Sequence, residues 1–124
     1  DSYLNDALER PVGAEDVRRV LAQMRRGPVK EGCVGAGTGM SGFGYKAGIG
    51  TASRVVEHNA HSCVLGALVL MSTGRAGDFR VDGIPVPAGT SRSPQADSAG
   101  SIIIVLATDA GLSPRQLGRV ARRA

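Results

Sequence analysis

Apolar residues recur with a helical period near the start of the chain. The positions i, i+3, i+4 and i+7 are occupied by Val17, Val20, Leu21 and Met24. This spacing forms one apolar stripe and predicts an amphipathic helix over residues 13–26. Glu15 and Asp16 favour its N-terminus, and the pair Gly27-Pro28 ends it. We expect a surface helix that packs on a sheet.

A second amphipathic helix is predicted at the end of the chain. Ser113 is a suitable N-cap, and Pro114 is a suitable first helical residue. The pattern places four residues inward: Leu117, Val120, Ala121 and Ala124. It places four arginines outward: Arg115, Arg119, Arg122 and Arg123.

Several segments between these helices have the pattern of strands. Residues 49–57 and the more apolar residues 62–71 are typical of strands, the second one buried. Residues 79–86 predict a strand that is interrupted at Gly83 and closed by prolines. Residues 101–107 are apolar on both faces, which predicts a central strand covered on each side.

Two segments lack a regular pattern. Residues 32–50 are so dense in glycine that only tertiary contacts would fix their backbone, so we predict a loop. Such a loop could line a peptide-binding cleft and offer backbone N–H groups to a carbonyl oxygen. Residues 88–100 are rich in serine, proline, glycine and alanine and are typical of a flexible linker.

Composition limits the fold and the partners. The 124 residues allow one domain with one modest core, and 3% aromatic residues leave that core to Val, Leu, Ile and Ala. The net charge of +4 is spread over both helices and several loops, so we expect no nucleic-acid partner. Nucleic-acid binding by the arginine-rich last helix is the main non-enzymatic alternative, but no aromatic residue alternates with those arginines for base stacking.

Other common sites fit the sequence poorly. Gly37 to Gly42 match G-x-G-x-x-G, but four glycines from Gly42 to Gly50 disfavour the helix that a dinucleotide site requires. His58 and His61 lie in a polar turn without a third ligand at helical spacing, and no serine has a G-x-S-x-G context. We therefore expect neither a metal nor another cofactor.

The cysteines and the apolar runs exclude further classes. Cys33 and Cys63 are isolated, and we expect both to be reduced and partly buried. No apolar run reaches the roughly 20 residues of a membrane span, and no signal peptide is evident. We expect no membrane partner and a cytoplasmic location, or a periplasmic one if a signal peptide precedes this sequence.

The junction Gly100-Ser101 carries the candidate chemistry. Ser101 follows a small residue and opens an apolar run, as in an ordinary turn that enters a buried strand. If the Gly100–Ser101 bond were cut, however, Ser101 would gain an α-amine with a reference pKa of about 7.7–8.0. That amine could take the proton from the serine's own hydroxyl, so one residue would supply both nucleophile and base.

Several motifs in a fixed order point to one family. They are residues 27–40 and 44–55, Gly74-Arg75, residues 78–86, Gly100-Ser101, residues 107–110 and residues 119–124. Together they closely resemble the DmpA-type family of self-processing aminopeptidases, which includes L-aminopeptidase/D-amidase/D-esterases and β-peptidyl aminopeptidases. The resemblance covers nearly the whole chain.

The resemblance implies a fold and a mechanism. The fold would be α/β, part of the four-layer α/β/β/α sandwich of N-terminal-nucleophile hydrolases. Ser101 would be the nucleophile and α-amine base, and Gly100 the residue before the cleavage site. Ser72 stands where relatives commonly have an asparagine as oxyanion donor. The remaining candidates for oxyanion or substrate binding are Gly37, Gly39, Tyr45 and Lys46.

The family also implies a larger protein. Its members extend on both sides of this sequence, so residues 1–124 would be a single partial domain, with 1–100 before the cleavage site and 101–124 after it. The substrate would be a peptide or an amino-acid amide, and the full-length protein would be a homo-oligomer of processed heterodimers. Two alternatives stay open: a self-processing acyltransferase of the same architecture, and a catalytically silent fragment or binding module.

Overall fold

The computed structural model describes Leu4 and residues 6–87 and 100–124. Short 3₁₀ helices cover Ala7–Glu9 and Gly35–Gly39. The α-helices are α1 (Ala14–Ala22) and α2 (Pro114–Ala121). The strands are β1 (Ser41–Gly42), β2 (Tyr45–Lys46), β3 (Ile49–His58), β4 (His61–Ser72), β5 (Arg80–Val81), β6 (Ile84–Pro85) and β7 (Ser101–Thr108).

The main sheet is antiparallel, with the order β3-β4-β7. A tight turn at Asn59-Ala60 joins β3 to β4, and both turn residues have positive φ, as in type I′ hairpin turns. This confirms the polar turn predicted around the two histidines. The prediction that the strand from Ser101 is central is wrong for the described sheet, because β4 lies between β3 and β7.

The two faces of the sheet are covered differently. On one face, Leu117 and Val120 of α2 line an apolar cleft together with Leu65, Ile104 and Leu106 of β4 and β7. On the other face, Ile103 and Val105 are 56% and 53% exposed. Gly27 and Val29 line an open depression on this second face together with Val105. Within the described residues, β7 is therefore partly covered on the α2 side and largely exposed on the other, and the predicted full cover on both sides is not found.

Helix α1 is shorter and less packed than predicted. It begins after Gly13, whose N–H donates to the Asp16 carboxylate at 2.9 Å, and it ends at Ala22. Its apolar stripe is exposed, with Val20 at 65%. Within the described residues, the predicted packing of this stripe on a sheet is not found. None of the hydrophobic residues that the structure describes, in this helix or elsewhere, is fully buried.

Helix α2 confirms the predicted capping. Ser113 is the N-cap, its hydroxyl accepts from the Gln116 N–H at 3.4 Å, and Pro114 is the first helical residue. The Gln116 side-chain oxygen accepts from the Ser113 N–H at 2.8 Å and completes the capping box. No helix in the described part of the chain is long and apolar enough to cross a membrane.

The glycine-dense segment is more regular than predicted. It forms the 3₁₀ helix Gly35–Gly39 and the hairpin β1–β2. Side chains at Gly37 or Gly48 would collide with the Gly32 carbonyl oxygen, so the close approach of backbones fixes this segment. Likewise, the predicted interrupted strand over residues 79–86 is a hairpin, β5–β6.

Two further sequence expectations concern the cysteines and the linker. Cys63 is half-buried as predicted, whereas Cys33 is exposed, so the expectation of partial burial is wrong for Cys33. Of the predicted linker 88–100, residues 88–99 lie outside the described residues. Gly100 is the first described residue after them.

Candidate active site

Ser101 and Ser72 face each other across the sheet. Ser101 is the first residue of β7, Ser72 is the last residue of β4, and the two are register partners. Directly opposed residues of an antiparallel pair project from the same face, with Cβ atoms about 5 Å apart. The alternation along β7 puts Ser101 on the face of Ile103 and Val105, away from α2. The candidate nucleophile is exposed, and the candidate oxyanion donor stands directly opposite it.

Gly100 packs against Thr73, and these two residues lie one position beyond the paired residues Ser72 and Ser101. A Cβ added to Gly100 would overlap the Oγ1 and Cβ of Thr73. The residue before the proposed scissile bond therefore lies against the residue after the candidate oxyanion donor. The structure thus brings Ser72, Gly100 and Ser101 together.

The hairpin β1–β2 lies against the same segment of chain. A Cβ added to Gly42 would come within 2.5 Å of the Thr73 carbonyl oxygen. The next residue, Phe43, donates its N–H to the Gly74 carbonyl at 3.1 Å. The residues that follow Ser72 are thus held between this hairpin and Gly100.

Lys46 holds backbone carbonyls inside the glycine-dense segment. Its Nζ donates to the carbonyls of Gly37 at 2.8 Å and Ala47 at 2.6 Å. The N–H of Gly37 donates to the Val34 carbonyl at 2.8 Å, so that N–H is occupied within the loop. Gly39 is buried in the same 3₁₀ helix. These three candidates form a second group, joined to the Ser101 group through the hairpin.

Tyr45 belongs to an aromatic cluster. Its hydroxyl donates to the Pro87 carbonyl, and its ring meets the Phe79 ring edge-on at 6.0 Å. Phe79 also stacks on Phe43 at 5.1 Å. The Tyr45 hydroxyl is thus engaged with the residue that precedes the segment 88–99.

Sequence reasoning missed the role of Thr73 and Phe79 in building this site. The spacing of Phe43, Tyr45 and Phe79 gives no periodic signal because they lie on two separate hairpins. Thr73 can be found only once the strand register is known, because extending the Ser72–Ser101 pairing by one residue places Thr73 beside Gly100.

Other polar groups lie away from the site. Asp109 is at the opposite end of β7, where its carboxylate accepts the Val64 N–H at 2.7 Å. His58 and His61 are register partners at the turn between β3 and β4. Among the residues that the structure describes, no three His, Cys, Asp or Glu side chains are grouped so as to hold a metal ion.

Comparison with known proteins places the whole chain in one group. The model of peptidase family S58 matches residues 1–124. The chain is 41% identical over 140 aligned positions to a protein named beta-peptidyl aminopeptidase BapA from Sphingosinicella microcystinivorans, covering all of this chain and 35% of that relative. The chain thus spans about a third of the length of this curated relative.

Solved structures agree in fold. The PH0078 protein from Pyrococcus horikoshii OT3 superposes with a TM-score of 0.84 and 47% identity, over 98% of this chain and 33% of that one. An L-aminopeptidase D-Ala-esterase/amidase from Ochrobactrum anthropi, described as a variant of the Ntn hydrolase fold, gives 0.82 and 46% over the same shares. The predicted α/β fold, part of an N-terminal-nucleophile hydrolase sandwich, is confirmed.

Proposed function

The chain belongs to peptidase family S58, and we propose that it is the part of a self-processing serine aminopeptidase or amidase that contains the cleavage site Gly100–Ser101. The observation that carries this proposal is the position of Ser101. It is exposed at the first residue of β7, opposite Ser72, and directly follows a glycine that packs against Thr73.

The first reaction is self-cleavage. The Ser101 hydroxyl oxygen attacks the Gly100 carbonyl carbon, the C–N bond to Ser101 breaks, and the hydroxyl proton ends on the released nitrogen. This leaves an ester between Gly100 and Ser101. Water then hydrolyses the ester to give a Gly100 carboxylate and a Ser101 residue with a free α-amine.

The second reaction is turnover of a peptide, an amino-acid amide or an ester. The free α-amine takes the proton from the Ser101 hydroxyl, whose oxygen attacks the carbonyl of the substrate's first residue. The leaving group departs with a proton, and water hydrolyses the acyl-enzyme. Both reactions pass through a tetrahedral oxyanion, for which Ser72 is the proposed donor because it projects from the same face as Ser101.

The proposal places this chain within a larger molecule. Residues 1–100 would precede the cut and residues 101–124 would follow it. The sheet face that carries Ser101, Ile103 and Val105 would pack on the second sheet of the sandwich, since stacked sheets bury such faces about 10 Å apart. The processed heterodimers would assemble into a homo-oligomer.

The mass of the mature protein tests the proposal. In the parent protein, meaning the complete product of the gene that encodes this chain, we expect two pieces that meet at Gly100 and Ser101. Ser101→Ala should give one uncut chain without turnover of amino-acid p-nitroanilides. The matched control is Ser53→Ala, an exposed serine in the middle of β3, which should be cut and active. An uncut but active wild type would overturn the proposal.

A further inference from the structure

Thr73 occupies the space that a side chain on Gly100 would need. Among the described residues that are not its chain neighbours, the atoms nearest to a Cβ added to Gly100 belong to Thr73: Oγ1, Cβ and Cα. This crowding is specific to the position. A Cβ added to Gly111, beyond the other end of β7, would meet nothing within 4 Å. Residue 100 is therefore restricted to glycine by one identified neighbour.

Thr73 is itself held in place from several sides. The residue before it, Ser72, is paired with Ser101 in the ladder between β4 and β7. The residue after it, Gly74, accepts the N–H of Phe43 at 3.1 Å. The carbonyl of Thr73 lies close to Gly42 of the hairpin β1–β2. Because its neighbours are fixed, Thr73 is a firm surface for Gly100.

The chemistry of self-cleavage gives this contact a purpose. The Cα of Gly100 is bonded directly to the carbonyl carbon that the Ser101 oxygen attacks. Fixing that Cα restricts rotation of the carbonyl and holds it near the attacking oxygen, and misplacement by about 1 Å can cost about 100-fold in rate.

We infer that Thr73 is a positioning residue for self-cleavage: by packing on Gly100 it seats the Gly100–Ser101 bond and admits only glycine before the cut. The inference rests on the proposed function, since it concerns the cleavage that this function requires. It assigns to Thr73 a part in processing through its shape.

The test follows self-cleavage of the parent protein by intact mass over time. Gly100→Ala should slow cleavage by about 100-fold, and Thr73→Ala should slow it by about 10- to 100-fold because Gly100 loses its support. Thr73→Val keeps the branched shape without the hydroxyl and should cleave at close to the wild-type rate. In the double variant Gly100→Ala/Thr73→Gly, part of the loss caused by Gly100→Ala should be recovered, since residues in contact are energetically coupled.

Controls separate the possible failures. Gly111→Ala adds the same methyl group in open space and should cleave normally. Thermal melting of each uncut precursor reports folding, and rescue by Thr73→Val would not follow from a general loss of structure. If Gly100→Ala cleaves normally, or if Thr73→Val cleaves as slowly as Thr73→Ala, the role of Thr73 is overturned while the proposed function still stands. A wild type that never cleaves would overturn the proposed function and this inference with it.

Discussion

The ring of Phe43 lies where a side chain on Gly74 would stand, while the Phe43 N–H donates to the Gly74 carbonyl at 3.1 Å. Gly74 has a φ of +92°, a backbone conformation that favours glycine. This contact fastens the hairpin β1–β2 to the end of β4, next to Ser72 and Thr73. The candidate oxyanion donor is therefore connected to the glycine-dense segment through the ring and the N–H of Phe43, beside the contact of Gly42 with the Thr73 carbonyl.

Gly74→Ala should destabilise the parent protein. The added methyl group would overlap the Phe43 ring and would also strain a positive φ, together costing about 2–4 kcal/mol in the free energy of unfolding. Gly77→Ala is a matched control because Gly77 has a φ of +94° with nothing within 4 Å of an added Cβ. It should show only the backbone cost, about 1–2 kcal/mol. Equal losses in denaturant unfolding would contradict the role of Phe43.

Ser72→Ala should reduce turnover by the mature enzyme. If Ser72 donates to the oxyanion, its loss should lower kcat by about 100-fold with a smaller change in KM, since the interaction forms mainly in the transition state. The measurement is steady-state hydrolysis of an amino-acid p-nitroanilide by protein already cleaved.

The reverse substitution sharpens this test. Ser72→Asn introduces the residue that the family resemblance leads one to expect, and a longer amide donor should keep kcat at or above the wild-type value. If Ser72→Ala and wild type turn over substrate equally, the oxyanion donor is another group.

Lys46→Met should loosen the glycine-dense segment. The change removes a charged donor to the carbonyls of Gly37 and Ala47 while keeping an apolar stem of similar length. We expect a loss of about 1–2 kcal/mol in the free energy of unfolding. Lys30→Met changes the chain's other lysine, which is exposed, and should stay within about 0.5 kcal/mol. Faster amide exchange at residues 35–39 in the Lys46 variant would locate the effect.

The sequence predicted local elements better than their packing. Strands β3 and β4, the turn between them and the cap at Ser113 follow from short-range patterns, and all are observed. The 3₁₀ helix Gly35–Gly39 was missed because its Gly37 is packed against backbone from about a dozen residues further along the chain, at Gly48 and Ile49, as well as against the Gly32 carbonyl. The apolar faces of α1 and β7 were expected to be covered, but periodicity shows which side chains are apolar without showing what covers them.

For the candidate site, too, the sequence indicates single residues better than it indicates which of them lie together. Ser101 could be singled out from the type of residue and its place before an apolar run, and Ser72 from the resemblance. Their pairing across the sheet depends on the register of two strands, and 28 residues of sequence lie between Ser72 and Ser101. Thr73 was missed for that reason, since nothing near it in sequence marks it as the neighbour of Gly100.

Glu31 should titrate at a lower pH than an ordinary glutamate. The Thr51 hydroxyl and the Thr51 N–H, the latter at 2.8 Å, both donate to its carboxylate and hold its pKa below the usual 4.5. Because the pKa of Glu31 is lower in the folded state, its hydrogen bonds to Thr51 of β3 stabilise the fold at pH values above the ordinary pKa of a glutamate. That contribution is lost as the pH falls through the lowered pKa.

Carbon-detected NMR of the Glu31 carboxyl in the parent protein measures this directly. We expect a midpoint below 4.5 in the wild type. In Thr51→Val the midpoint should rise, because the hydroxyl is the larger cause of the shift, yet stay low because the Thr51 N–H still donates. The control Thr38→Val changes an exposed threonine in the glycine-dense segment and should leave the Glu31 midpoint unchanged. A midpoint at or above the ordinary value in the wild type would mean that Glu31 does not bind Thr51 in solution.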